Sequence, residues 1–299
     1  MAQNGFPKTR LPQSQFQILV KQFEGSMNFA SATTRHVYMK ALDQLLTFAK
    51  GNSFKFTPED FGQFRLWLLE SRKLSNNTVN TYLTASRRFC EFLVDLGVLQ
   101  KNPAWSVHGS AQNFKITGVS LSEVSGAISG IDKATLLGKR DYAFLSAIFE
   151  CGATISELVN ADVADLKKTG TAAELWVKPK GNHRKYEIIR LTPGAGTALY
   201  EYIDARGEVA SDYPLFTTVR VGRATNKRLS FRGARAAMRK RLRIDQERSL
   251  RLDSVRTYCA VRLMKQGRTT DEIKAFMRFK SNMPLRKIMV NSKAMAEKK

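Results

Sequence analysis

The chain has 299 residues, with 49 Lys and Arg against 26 Asp and Glu, for a formal net charge of +23. At 43% hydrophobic residues it has material for real cores, so disorder is excluded as the origin of the charge, and the length allows one large domain or two ordinary ones. A folded protein this basic repels itself unless a polyanion is its usual neighbour, which points to nucleic acid or an anionic membrane.

The opening Met-Ala-Gln-Asn-Gly-Phe-Pro-Lys lacks the apolar core of a signal peptide, and no apolar run is long enough to span a bilayer. Membrane association is therefore not expected. Cys90, Cys151 and Cys259 are odd in number, far apart and set in apolar stretches, and read as buried thiols of a reducing compartment. His36, His108 and His183 are equally scattered, so neither a metal nor another cofactor is expected. The expected location is cytoplasmic and nucleoid-associated.

In chain order, residues 1–104 read as a small helical bundle. Phe16, Leu19, Val20 and Phe23 mark a first short helix; Ser31 is a plausible N-cap for a second that carries Tyr38, Leu42, Leu45 and Ala49. Thr57 followed by Pro58, Glu59 and Asp60 is a clear start for a third. A fourth starts near Ser75 and runs through Val79, Leu83, Phe89 and Leu93 to a stop at Gly97. Its other face carries Asn77, Asn80, Thr81, Thr84, Arg87 and Arg88, a mixture suited to DNA grooves and phosphates and equally to an ordinary solvated face.

Residues 105–119 read as a linker, with Gly109, Ser110 and Gly118 among polar residues. Residues 120–299 read as a mixed domain. A helix opens at Ser122, another spans Tyr142 to Leu158, and strands over 174–177 and 186–191 flank a turn at Lys180-Gly181-Asn182. Beyond them the pattern is helical. Arg228, Arg232, Arg235 and Arg239 belong to a run of basic residues from Arg220 to Arg251 that is interrupted by only Asp245 and Glu247. So one-sided a run reads as a phosphate-facing surface.

This order of parts resembles the tyrosine recombinases, that is, the phage integrases and Xer-type enzymes. The segments that carry the resemblance are Leu74 to Leu83, Arg140-Asp141-Tyr142-Ala143-Phe144-Leu145, Cys151 to Leu158, Lys178-Pro179-Lys180-Gly181-Asn182, Leu252 to Thr257 and Phe279-Lys280-Ser281. It implies a mainly α fold with a small β-sheet, in which a helical core-binding domain and an α+β catalytic-type domain form a clamp on double-stranded DNA. It also implies cleavage by a tyrosine hydroxyl, with arginines, a hairpin lysine and histidines around the phosphate.

Matched residue by residue, the first arginine position holds Thr154, the lysine position Lys180, the first histidine position Asp253 and the second arginine position Arg256. The histidine position just after Arg256 holds Thr257, the histidine position of the last motif Lys280 and the tyrosine position Met289, and no tyrosine follows Tyr258, which reads as core. Ser254 and Ser281 have no evident neighbouring base. On this pattern the expectation is a DNA-binding protein of recombinase fold that is no longer an enzyme, acting in an architectural, nucleoid-associated or regulatory role. Asn77, Asn80, Thr84, Arg87, Arg88, Lys180, Arg228, Arg232, Arg235, Arg239, Arg256 and Lys280 would hold DNA. The alternative is a recombinase active through a substituted nucleophile or as the accessory subunit of a mixed complex. Self-association on DNA through Met289 to Lys299 is a further expectation.

Overall fold

The computed structural model describes residues 12–27, 32–52, 54–109, 119–178, 186–244, 250–286 and 288–289. Two units, residues 1–114 and 115–299, divide the chain. The first holds α1 (Gln13–Ser26), α2 (Ala32–Gly51), α3 (Pro58–Glu70) and α4 (Asn76–Asp95). The predicted cap at Ser31 lies outside the described residues. Thr57 accepts the Asp60 amide while the Asp60 carboxylate accepts the Thr57 amide, and this reciprocal cap starts α3 where the sequence indicated. The Ser75 hydroxyl caps α4, and Gly97 takes the left-handed turn after it at φ 72°. Aromatic packing fills the core: the Phe16 ring stacks on Phe89 at 5.6 Å, and the edge of Phe23 meets the same ring at 5.5 Å.

The segment read as a linker does not leave this unit at once. A 3-10 turn over Pro103–Trp105 follows α4, with Ala104 and Val107 in the unit's core.

The second unit comprises α5 (Leu121–Ser129), α6 (Leu136–Cys151), α7 (Ile155–Asn160), β1 (Leu166–Thr169), β2 (Ala172–Val177), β3 (Glu187–Arg190) and α8 (Pro193–Asp204). Then come β4 (Thr217–Arg220), β5 (Arg223–Arg228), α9 (Phe231–Arg241), α10 (Leu252–Lys265) and α11 (Thr270–Phe276). β1, β2 and β3 form one antiparallel sheet in that order, and β4 with β5 forms a separate hairpin. The architecture is thus mostly helical with small antiparallel sheets.

Two expectations are corrected. The single helix predicted from Tyr142 to Leu158 is two helices. Gly152 turns left-handed at φ 64° between α6 and α7, and a Cβ there would lie 2.7 Å from the Met277 sulfur. The stretch after Leu191, read as wholly helical, contains the β4–β5 hairpin. Its arginines masked a strand pattern of Thr217, Val219 and Thr225 on either side of Val221-Gly222.

α6 is the central helix of this unit. Even its Arg140 and Asp141 are buried, and pair with each other at 2.7 Å; Arg241 reaches the same carboxylate at 3.0 Å. All three cysteines are buried free thiols, and burial pushes the Cys151 thiol up to about 11. No helix among the described residues is long and apolar enough to cross a membrane.

Candidate nucleic-acid interface

Because Gly152 bends the chain outward, its carbonyl is free to accept from side chains. Two arginines use it. Arg256, one turn into α10, donates Nε to the Gly152 oxygen at 2.8 Å, and Arg278 donates to the same oxygen at 3.1 Å. Arg256 also donates to the Met277 carbonyl and lies 4.7 Å over the Phe279 ring. Burial, and then the charge of Arg278, lowers the Arg256 guanidinium below its ordinary value, while Glu157 opposes the shift. Among the described residues Arg256 reaches no carboxylate at ion-pair distance, so its charge is the one in this cluster left without a direct counter-ion.

Arg278 is differently placed. It pairs with Glu157 at 2.8 Å and lies 3.6 Å from Glu187, the first residue of β3. It therefore ties together the α6–α7 turn, the end of α11 and the start of β3. Sequence reasoning missed it, and the only signal was its nearness to Phe279-Lys280-Ser281.

The residues matched by the resemblance fall around this cluster. Thr154 is the N-cap of α7: its hydroxyl accepts the Glu157 amide, and its own amide donates to the Glu157 carboxylate at 2.6 Å. Lys280 is exposed two residues beyond Arg278. Lys180 lies outside the described residues; the strands on either side of it in the sequence, β2 and β3, are paired at Val177 and Glu187. Asp253 does not meet Arg256; it pairs with Arg235 of α9 at 2.7 Å. Met289 is 41% exposed, just after Ile288, which joins Leu285 in a small core with α10 and α11. Tyr258 is 2% exposed and donates its hydroxyl proton to the Val119 carbonyl at 2.6 Å.

The basic run resolves into a hairpin and a helix. On α9, Ala234 and Met238 are buried while Arg232, Arg235, Arg239 and Lys240 are exposed. This helix therefore carries a continuous cationic face, with Asp253 as its one acidic neighbour at ion-pair distance among the described residues. Arg228 is committed inward: it donates to the carbonyls of Val159 and Ala161 and pairs with Asp162.

In the first unit, Asn77, Thr81, Thr84 and Arg88 are exposed at helical spacing along α4. Thr81 and Thr84 donate their hydroxyl protons to the Asn77 and Asn80 carbonyls, which leaves oxygen lone pairs outward as acceptors. Asn77 and Thr81 line an open groove of about 430 Å³ with His36 and Lys40 of α2, two residues the sequence did not single out as binding. Asn80 sits against Gly109. Arg88 pairs with Glu91 at 2.9 Å. Arg87 faces inward chemically, donating to the Ala104 and Val107 carbonyls and lying over the Trp105 ring. It clamps the segment after α4.

A helical unit followed by a mixed unit with a three-stranded sheet is the two-domain architecture of the tyrosine recombinases. The solved Tn1549 transposon integrase, in complex with transposon right end DNA, superposes with a TM-score of 0.67 over 94% of this chain and 98% of that one, at 14% identity. A lambda integrase dimer bound to a core site gives 0.65 over 91% and 94%, at 11% identity. Residues 19–97 match the model of the phage integrase N-terminal SAM-like domain. Tyrosine recombinase XerC of Salmonella typhi is 29% identical over 203 residues, 66% of this chain and 66% of that protein; the match thus spans just under two thirds of the relative's length. These matches support a place for the chain in the tyrosine recombinase family. This overturns the expectation that the chain is not an enzyme: the relatives it matches are named as recombinases, a class of enzymes.

Proposed function

We propose that this protein binds duplex DNA and acts in site-specific DNA recombination as one subunit of a mixed complex in which a partner chain supplies the attacking tyrosine. The observation that carries the DNA part is the exposed cationic face of α9, with Arg232, Arg235, Arg239 and Lys240 on one side of a helix whose other side is core. Phosphate contacts of this kind hold a duplex in register without reading its sequence. On the first unit, the exposed Asn77, Thr81 and Thr84 of α4 are a second candidate surface for DNA. Arg256, desolvated and without a direct carboxylate, is suited to a phosphate that gains charge as it is attacked. The need for a partner's tyrosine follows from Met289 at the matched position and from Tyr258, whose hydroxyl is buried on a backbone carbonyl.

The test combines this chain with a tyrosine-bearing family member from the same cell on a nicked suicide duplex. The expected covalent adduct maps to the partner, and its yield drops when this chain is left out. An adduct on this chain would replace the mixed-complex reading with a substituted nucleophile. Structured RNA competing as well as duplex at physiological salt would remove the DNA reading altogether. The net charge also favours a second reading, an architectural or regulatory DNA binder; broad genome coverage in binding maps, rather than discrete sites, would favour packaging.

A further inference from the structure

The β4–β5 hairpin breaks two local rules at its tip, while its base, despite a register shift between Thr217 and Val219, is firmly anchored. At the base, Phe216 is buried, stacked on Tyr202 at 5.6 Å and edge-on to Phe144 at 4.9 Å. The Thr217 carbonyl accepts from buried Arg140, and Arg228 ties the returning strand to the end of α7. Midway, the Thr218 and Thr225 hydroxyls meet at 2.6 Å across the ribbon. This rigid stem imposes a two-residue loop in which Val221 and Gly222 both have positive φ, 48° and 72°. Such a loop favours Asn-Gly, and a β-branched side chain is among the worst choices for its first position. Val221 is nonetheless there, and 100% exposed, so it gains no burial in exchange.

The residues flanking the loop are the second violation. Arg220 and Arg223 are direct cross-strand partners, and like charges so placed repel. Residues 217–228 contain no carboxylate to relieve them. A strained apolar tip between two arginines that meet no carboxylate among the described residues makes sense if an external partner is anionic at its edges and offers an apolar group between them. The DNA major groove is edged by phosphates and carries thymine methyls among its polar base edges, and at about 12 Å wide it admits a two-stranded ribbon.

We propose that this hairpin is a groove-entering element, with Arg220 and Arg223 on the flanking phosphates and Val221 against base edges, the thymine methyl being its apolar partner. The proposal rests on the duplex-DNA reading above.

The full chain is tested with a 40-bp mixed-sequence duplex and with the same duplex carrying uracil for thymine, which removes the methyl groups. Val221→Asn gives the loop its preferred residue, so this variant should melt at or above the parent's temperature. It should bind the thymine duplex about fourfold more weakly, one buried methyl's worth, and lose the parent's preference for thymine over uracil. Arg220→Gln/Arg223→Gln should lower the slope of log Kd against log salt by about 1.8, the release of two phosphate contacts. A well-folded Val221→Asn chain that binds both duplexes as the parent does would overturn the hairpin proposal and leave duplex binding standing. A parent chain that ignores both duplexes would overturn the underlying reading and this proposal together. Capture by phosphatidylserine vesicles, lost in Val221→Asn while duplex affinity is unchanged, would reassign the tip to a membrane surface and sink the groove proposal.

Discussion

Arg278 adopts φ 54°, a conformation arginine rarely takes, with its side chain only 11% exposed against a Glu157 that is 6% exposed. The strain is tolerated because one guanidinium serves three carbonyl and carboxylate groups: Gly152, Phe276 and Glu157. Removing one partner of a buried pair leaves the other charge unpaired, so Arg278→Ala should destabilise the second unit by about 3–5 kcal/mol. Arg278→Lys keeps the charge but not the fork of donors and should fall between the two. Urea unfolding followed by circular dichroism measures both; equal midpoints for Arg278→Ala and the parent would show that the pair does not hold the α6–α7 turn. At this scale the sequence was only partly legible. Arg256 was visible through its motif. The inward roles of Arg87, Arg228 and Arg278 were not, because their acceptors are mainly backbone carbonyls distant in sequence, and any residue type offers those.

Elements whose signals lie within four residues were readable. Thr57-Pro58 and Ser75 start α3 and α4 where their side chains can cap the first turn. Thr57→Ala should therefore cost about 1 kcal/mol, since it frees the Asp60 amide and half of a reciprocal cap. The cost should appear as a lower unfolding midpoint of the first unit with no change in the second; a shift in both would mean that the units unfold as one. Breaks set by distant packing were unreadable. Gly152 ends α6 where Met277, from far along the chain, closes over it, and nothing near Gly152 announces that neighbour. The hairpin was lost for another reason: its basic residues belong to a surface, and charge says nothing about whether strand or helix carries them.

For the whole molecule, the +23 charge acts with opposite signs on folding and on binding. In the free protein it is self-repulsion, which salt relieves as the screening length falls from about 10 Å at 0.1 M to about 3 Å at 1 M. Buried pairs such as Arg140–Asp141 and Arg278–Glu157 are screened far less, so they do not offset that gain. The melting temperature of the free chain should accordingly rise between 0.1 and 1 M NaCl. A saturating duplex should raise it further at 0.1 M, because a ligand that binds only the folded state stabilises it, and that increment should vanish by 1 M as phosphate contacts are lost. Differential scanning fluorimetry with and without duplex separates the two effects in one salt series. If the free chain instead melts lower in salt, its internal ion pairs outweigh its self-repulsion. The excess charge would then serve the fold, and the cationic face of α9 would lose its claim to be kept for a polyanion.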